Sequence, residues 1–196
     1  MYQKVIKRAF DIFFSGIGIL IAIIPMLIVS VIIKLDSPGP ALFKQKRVGI
    51  HKTYFTILKF RSMPVTVSHD TPTHLMDSNI ALTKWQGFLR KSSVDELPQL
   101  FCIFSGKMSI VGPRPALWNQ FDLVAERDKY GANDVRPGLT GWAQINGRDS
   151  LSIPDKAKLD GVYAKALNAG VVKGFVMDLK CFFGSFIPVL RQKDIS

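Results

Sequence analysis

Between Ile12 and Ile33 the chain reads IFFSGIGILIAIIPMLIVSVII, 22 consecutive positions without a charge, enough for a helix to cross the apolar core of a bilayer. Beyond it the pattern changes period. Residues 41–48 (ALFKQKRV) and 53–60 (TYFTILKF) are rich in aromatic and β-branched side chains and flank the linker GIHK, which predicts a β-hairpin. The polar stretch 64–79 predicts an irregular loop, and helices are predicted over 80–91, 95–104 and 116–130. Over 171–190, Val172, Phe175, Val176, Leu179, Phe182, Phe183 and Phe186 recur at helical spacing, with Lys173, Asp178 and Lys180 opposite. Such a stripe packs on a core or, beside a membrane anchor, lies in the lipid interface. The expected fold class is α+β, mainly helical with a small β-hairpin: a membrane helix over 1–35 and one further domain over 36–196.

Charge complicates the membrane segment. Lys4, Lys7 and Arg8 precede it, and Lys34, Lys44, Lys46 and Arg47 follow it, so by the positive-inside rule both ends belong to the cytoplasmic side. Pro25, near the middle of the run, removes one backbone hydrogen bond and crowds the preceding turn. A re-entrant helix that bends at Pro25 and returns to the same face satisfies both flanks; a kinked span that crosses once is the alternative. A cleaved signal peptide is disfavoured, because the apolar run leads into KLDSPGPALF without a small-residue cleavage site.

Composition narrows the partners. Mean hydropathy is +0.18 and the isoelectric point about 9.8, with a net charge of +11 over 196 residues. A chain both basic and apolar suits a cytoplasmic membrane surface, whose anionic lipids attract each Lys or Arg by about 1 kcal/mol. Nucleic acid, the other common polyanion, is disfavoured because the arginines cluster at Gly-Pro turns near acids rather than in a stripe with interleaved aromatics. Cys102 and Cys181 lie in apolar surroundings without a CxxC pair, so buried, reduced thiols are expected.

The candidate chemistry lies in three islands, LKFRSM (58–63), MSIVGPRPA (108–116) and VRPGLTGWAQINGR (135–148), and in SSVDELPQLF (92–101). Arg114 between Pro113 and Pro115 sits on a stiff backbone, suited to gripping a phosphate or carboxylate with a planar fork. Asp95 and Glu96 are compatible with simple helix grammar, since Ser93 and Glu96 fit a capping box and Pro98 is tolerated in a first turn. Lys59, Arg61, Arg90, Arg114, Arg136 and Arg148, all beside turns or the acidic pair, point instead to a polyanion site. His69, Asp70, His74 and Asp77 lack a standard ligand spacing and make a poor metal site.

In order, KRAFDI, LFKQKRVG, LKFRSM, LRKSSVDELPQLF, GKMSIVGPRP, DVRPGLTGWAQINGR and LDGVYAK resemble the motifs of the bacterial sugar transferases, small monotopic phosphoglycosyl transferases. The resemblance implies a transferase on the cytosolic face of a bacterial inner membrane, starting glycan assembly. It would move a sugar-1-phosphate from a UDP-sugar to polyprenol phosphate and release UMP through a phosphosugar carried on Asp95, with Glu96 as base. It further implies Mg2+ at Asp95, and Lys59, Arg61, Arg90, Arg114, Arg136, Arg148 and Asp160 as residues around the substrates. Anionic inner-membrane lipids are expected partners, nucleic acid is not, and a homodimer is compatible with the reading. The family often has Ser before the membrane proline where this chain has Ile24, which weakens the argument for a bend at Pro25. A non-catalytic scaffold of the same fold is the remaining alternative, opposed by the intact Asp95, Glu96 and Arg114 set.

Overall fold

The computed structural model describes residues 1–65, 82–147 and 150–186. A π-helical turn, Tyr2–Ile6, leads into α1, Lys7–Asp36, a single helix that runs through Pro25 without interruption. The sharp bend anticipated at Pro25 is therefore not seen as a break between two helices. At 1.5 Å per residue, 30 helical residues extend about 45 Å. One face of α1 is packed: Ala22, Met26 and Ile33 share a core with Phe60 and Leu89. The opposite face is bare, with Phe13, Leu20, Ile24, Leu27 and Leu35 all exposed.

The predicted hairpin is present. Strand β1, Leu42–Val48, pairs antiparallel with β2, Tyr54–Phe60, and Phe43 faces Lys59 across the pair. His51 and Lys52 in the connection have positive φ. Helix α2, Lys84–Lys91, begins with a capping box between Thr83 and Gln86. The expected helix over 95–104 is split: a 3-10 turn covers Val94–Glu96, and α3 covers only Gln99–Phe104. No capping box forms at Ser93, which adopts a left-handed conformation with φ 56° and makes no side-chain cap. The Glu96 side chain, which the box would need, is drawn elsewhere by stronger partners.

The Gly-Pro-Arg islands, unassigned by periodicity, become a second sheet. Strand β3, Ser109–Val111, pairs parallel with β4, Gly138–Thr140. Close approach is what the glycines provide: a Cβ on Gly112 would lie 2.3 Å from the Arg136 carbonyl oxygen, and one on Gly138 2.0 Å from the Gly112 nitrogen. Any side chain there would push the two segments apart. Between the strands lies α4, Phe121–Asp128, shorter than the expected 116–130. After β4 come α5, Trp142–Ile145, and α6, Ile153–Asn168, whose N-cap Ser152 accepts from the Asp155 amide. Helix α7, Val171–Gly184, confirms the aromatic stripe as helical. Its Cys181 and the Tyr163 and Leu167 of α6 bury one core with Tyr2 and Val111, while Val172, Phe182 and Phe183 stay exposed. Phe175 stacks on Phe10 of α1 at 6.0 Å between ring centres, so the bare faces of α1 and α7 join. Both cysteines are free and buried.

Candidate active site

The site forms where β2, the 3-10 turn and the loop after β3 meet. Strand alternation puts Lys59 on the face shared by Phe43, Gln45 and Arg47. Its ammonium donates to Glu96 Oε1 at 2.7 Å, and Arg114 Nη2 approaches the same oxygen at 3.2 Å. Burial alone would raise the Glu96 carboxyl; Lys59 and Arg114 outweigh it and hold the group well below the usual carboxylate range. The Lys59 ammonium is pulled down by its burial despite Glu96.

Asp95 is 8% exposed, and its Oδ2 accepts from the Ser62 hydroxyl at 3.1 Å. Burial pushes its carboxyl up, reinforced by the charge of Glu96 and opposed by Lys59, Ser62 and Arg90. The two adjacent acids thus titrate in opposite directions. Glu96 is locked as an anion between cations. Asp95 lacks a direct ion pair among the described residues and keeps an unengaged Oδ1, an oxygen free to react or to bind.

Arg114 stands on a backbone clamped residue by residue. Asp11 accepts from the Ile110 amide at 2.9 Å, Tyr163 Oη lies 2.9 Å from the Val111 carbonyl oxygen, and the Gly112 amide donates to Thr140 at 2.7 Å. The Pro113 carbonyl accepts from the Gly138 amide at 2.9 Å, the Arg114 carbonyl from Arg127 at 3.0 Å, and the Pro115 carbonyl from Arg47 at 2.9 Å. The Ala116 carbonyl accepts from the Val48 amide at 2.9 Å. A long, entropy-rich side chain is thereby presented from a fixed origin, the arrangement that makes a guanidinium an effective anion grip.

Of the residues singled out by sequence, Lys59, Asp95, Glu96 and Arg114 come together, with Arg90 close enough to act electrostatically on Asp95. Three others serve the scaffold instead. Arg61, 5% exposed, donates to the Ile33, Ser37 and Pro38 carbonyls and closes the C-terminus of α1. Arg136 donates to the Gly106 carbonyl at 3.2 Å, beside Arg8. Asp160, 1% exposed, pairs with Arg127 at 2.6 Å and so braces the Arg114 carbonyl from beneath. Turn composition marked all three as cations or acids near glycine and proline, but only the fold decides which way such groups point. Arg148 and residues 66–81, with His69, Asp70, His74 and Asp77, lie outside the described residues.

Sequence reasoning missed Ser62, Arg47 and Arg127. Arg47 was readable once the hairpin register was set, because it shares a face with Lys59; burial lowers its guanidinium to about 9, still cationic at neutral pH, and it feels both Arg114 and Glu96. Ser62 had only its place after Arg61, and FDLVAERD gave no signal for Arg127.

Among the described residues no three His, Cys, Asp or Glu side chains gather as a metal cage. A magnesium ion needs no such cage, because it binds through one or two carboxylates while substrate phosphates and water complete its shell. The unengaged Asp95 oxygen fits that limited demand.

A cation-rich face beside the Asp95 and Glu96 carboxylates is suited to an anionic ligand, and the family described as bacterial sugar transferase matches residues 2–192. The chain belongs to this family. As a sugar transferase it is 37% identical to the uncharacterized sugar transferase EpsL of Bacillus subtilis over 97% of this chain and 90% of that protein. It is 39% identical to the exopolysaccharide production protein PSS of Rhizobium leguminosarum over 96% of each. It is also 40% identical to the UDP-glucose:undecaprenyl-phosphate glucose-1-phosphate transferase of Escherichia coli, over 74% of this chain but 32% of that longer protein. The transferase spans about a third of that relative's length.

Proposed function

We propose that this transferase moves a sugar-1-phosphate from a UDP-sugar to undecaprenyl phosphate through a covalent intermediate on Asp95. The observation that carries the reading is the opposed state of the two acids: among the described residues Asp95 has no ion pair and one oxygen unengaged, while Glu96 is fixed between Lys59 and Arg114. In the first step an Asp95 oxygen attacks the β-phosphorus, the bond from that phosphorus to the bridging oxygen breaks, and UMP leaves with the electron pair. In the second, a phosphate oxygen of the lipid attacks the same phosphorus, and the aspartyl bond breaks to restore the carboxylate. One displacement becomes two.

Lys59, Arg114 and Arg90 offset the charge of the incoming diphosphate, and Arg47 adds to the field from beneath. Magnesium held at Asp95 would supply further charge neutralisation. We assign Glu96 to holding Lys59 and Arg114 in place rather than to the role of base, because a carboxyl held so far below its usual range is a poor proton acceptor. Ser62 orients the nucleophile through its bond to Asp95 Oδ2.

The acceptor arrives from the membrane. The joined bare faces of α1 and α7 form an apolar surface suited to lipid. Both ends of α1 are tied to the same body: Arg8 donates to the Ile103 and Phe104 carbonyls, Arg61 to the Ser37 carbonyl, and Thr83 to Asp36. A helix anchored to one body at both ends favours entry and return on the cytosolic face of the inner membrane over a single crossing.

The test is incubation of the purified chain with magnesium and, in turn, UDP-glucose, UDP-galactose and UDP-N-acetylgalactosamine, without lipid acceptor. One of them is expected to give UMP equimolar with protein and an intact-mass increase of one phosphosugar. UMP that appears only after undecaprenyl phosphate is added would rule out the covalent route. Cysteines placed at the exposed Lys4 and at Ser37 are expected to react with impermeant reagents from the cytoplasmic side only; labelling of either from the other side restores the single crossing.

A further inference from the structure

The clamp on the Arg114 loop begins in the membrane helix. Asp11, one turn and a half into α1 and 3% exposed, accepts with Oδ1 from the Ser109 hydroxyl and from the Ile110 amide, both at 2.9 Å. Burying a carboxylate there is unfavourable by several kcal/mol unless its hydrogen bonds compensate, so a position that needed only packing would carry an apolar residue. What Asp11 secures is β3, a three-residue strand with only two register pairs to β4, too short to fix itself. Val111, Gly112 and Pro113 then lead directly to Arg114.

The same helix is held from its other side. Lys7, one turn before Asp11, donates to Asp178 Oδ2 of α7 at 2.9 Å, and Tyr2 donates to the same oxygen at 2.5 Å. The single hydroxyl proton of Tyr163 lies between the Val111 carbonyl and Asp178 Oδ1, 2.7 Å away. Both edges of β3, its amide side through Asp11 and its carbonyl side through Tyr163, are therefore referred to the seating of α1 and α7.

We propose that Asp11 is a positioning residue for the transfer reaction: through Ser109 and Ile110 it sets where Arg114 stands, so that seating the membrane helix and assembling the phosphate-gripping face are one event. The inference rests on the reading of Arg114 as a phosphate-holding residue. Asp11 touches no substrate; it acts through the backbone. A small misplacement of a gripping group lowers turnover by up to about 100-fold.

The experiment is a double-mutant cycle on the full chain in detergent micelles with undecaprenyl phosphate and whichever UDP-sugar gives most UMP. Asp11→Ala is expected to lower kcat about 10- to 100-fold, and Asp11→Asn, which keeps the acceptor oxygen, to recover most of it. Placed on Arg114→Lys, Asp11→Ala is expected to add less than about threefold, because the group it positions is already impaired. Ser109→Ala, which removes one of the two bonds and leaves the helix paired with Ile110, is expected to show a smaller loss with the same non-additivity, and it serves if Asp11→Ala does not fold. Additive losses in the cycle, or losses that follow the fall in Tm alone, overturn the proposal. Absence of UMP from the wild-type chain with every sugar would instead overturn the functional reading beneath it.

Discussion

Three buried ionic clusters lie among the described residues, around Asp178, Asp160 and Glu96, and they follow two different principles. Around Asp178 and around Asp160 the charges are closed: Lys7 and Asp178 are 8% and 13% exposed, Arg127 and Asp160 6% and 1%; Asp178 meets Lys7 and the hydroxyls of Tyr2 and Tyr163, and Asp160 meets Arg127 twice through Oδ2. Around Glu96 the charges are open: one carboxylate holds two cations, Arg114 remains 36% exposed at its side chain, and Arg47 and Arg90 add charge nearby. A closed pair satisfies itself and ties elements together. A cationic excess around the adjacent acids Asp95 and Glu96, partly open to solvent at Arg114, is a surface suited to an incoming anion such as a phosphate.

The contrast breaks most sharply at the acids. Asp95→Asn should abolish the phosphosugar adduct and lower transfer by about 10^4-fold or more, as loss of a nucleophile does elsewhere, while Tm stays within a few degrees because Asp95 has no ion pair to lose among the described residues. Intact-mass analysis and thermal unfolding on one preparation check both halves; adduct on the variant would place the nucleophile elsewhere. Asp160→Ala should do the reverse. Removing one partner of a closed, buried pair leaves Arg127 uncompensated, at a cost of about 3–5 kcal/mol in stability, measured by denaturant unfolding in micelles. KM for the UDP-sugar should rise only modestly, through the loosened Arg114 carbonyl. A variant with normal stability and lost activity would move Asp160 into the open cluster.

Glu96→Gln sharpens the comparison through pH. The folded-state carboxyl is depressed, so its contribution to stability is present above the unfolded-state value and fades as pH falls through the lower folded-state value. The wild-type chain should therefore lose stability in acid, and the Gln variant, less stable at neutral pH, should lose less, so that their unfolding curves converge as pH falls. Parallel curves would show that Lys59 and Arg114 do not hold the group as an anion.

How much of this was legible beforehand follows the range of the forces involved. The hairpin, the apolar helix and the α7 stripe are set by local alternation and spacing, and they were readable. The DELP segment was misread at the level of its cap: Ser93 and Glu96 have the spacing of a capping box, but two cations 2.7 and 3.2 Å away, from β2 and from the loop after β3, outbid a backbone amide for the carboxylate. The parallel β3–β4 pair was invisible because its strands are three residues long and its information lies in where glycine permits backbones to touch. Arg61, Arg136 and Asp160 carry chemistry compatible with a phosphate site, but they bond to backbone carbonyls and to Arg127, a placement that only tertiary packing determines. The family motifs do not separate residues that face the Asp95–Glu96 cluster, such as Lys59 and Arg114, from those that brace it, such as Arg61 and Asp160.

The smallest effect expected lies at Arg90, the cation that acts on Asp95 at a distance. Burial raises the Asp95 carboxyl and Arg90 partly offsets this, so removing the guanidinium should raise it further. Attack requires the ionised form, so the acid limb of the rate of adduct formation should move to higher pH in Arg90→Ala and return in Arg90→Lys, which restores the charge without the fork. The plateau above the limb reports a separate property, the grip of Arg90 on phosphate oxygens. If the plateau falls and the limb stays, Arg90 binds substrate without tuning the nucleophile; if both move, the open cluster works as one field, in which the cations that attract the diphosphate also keep its attacker charged.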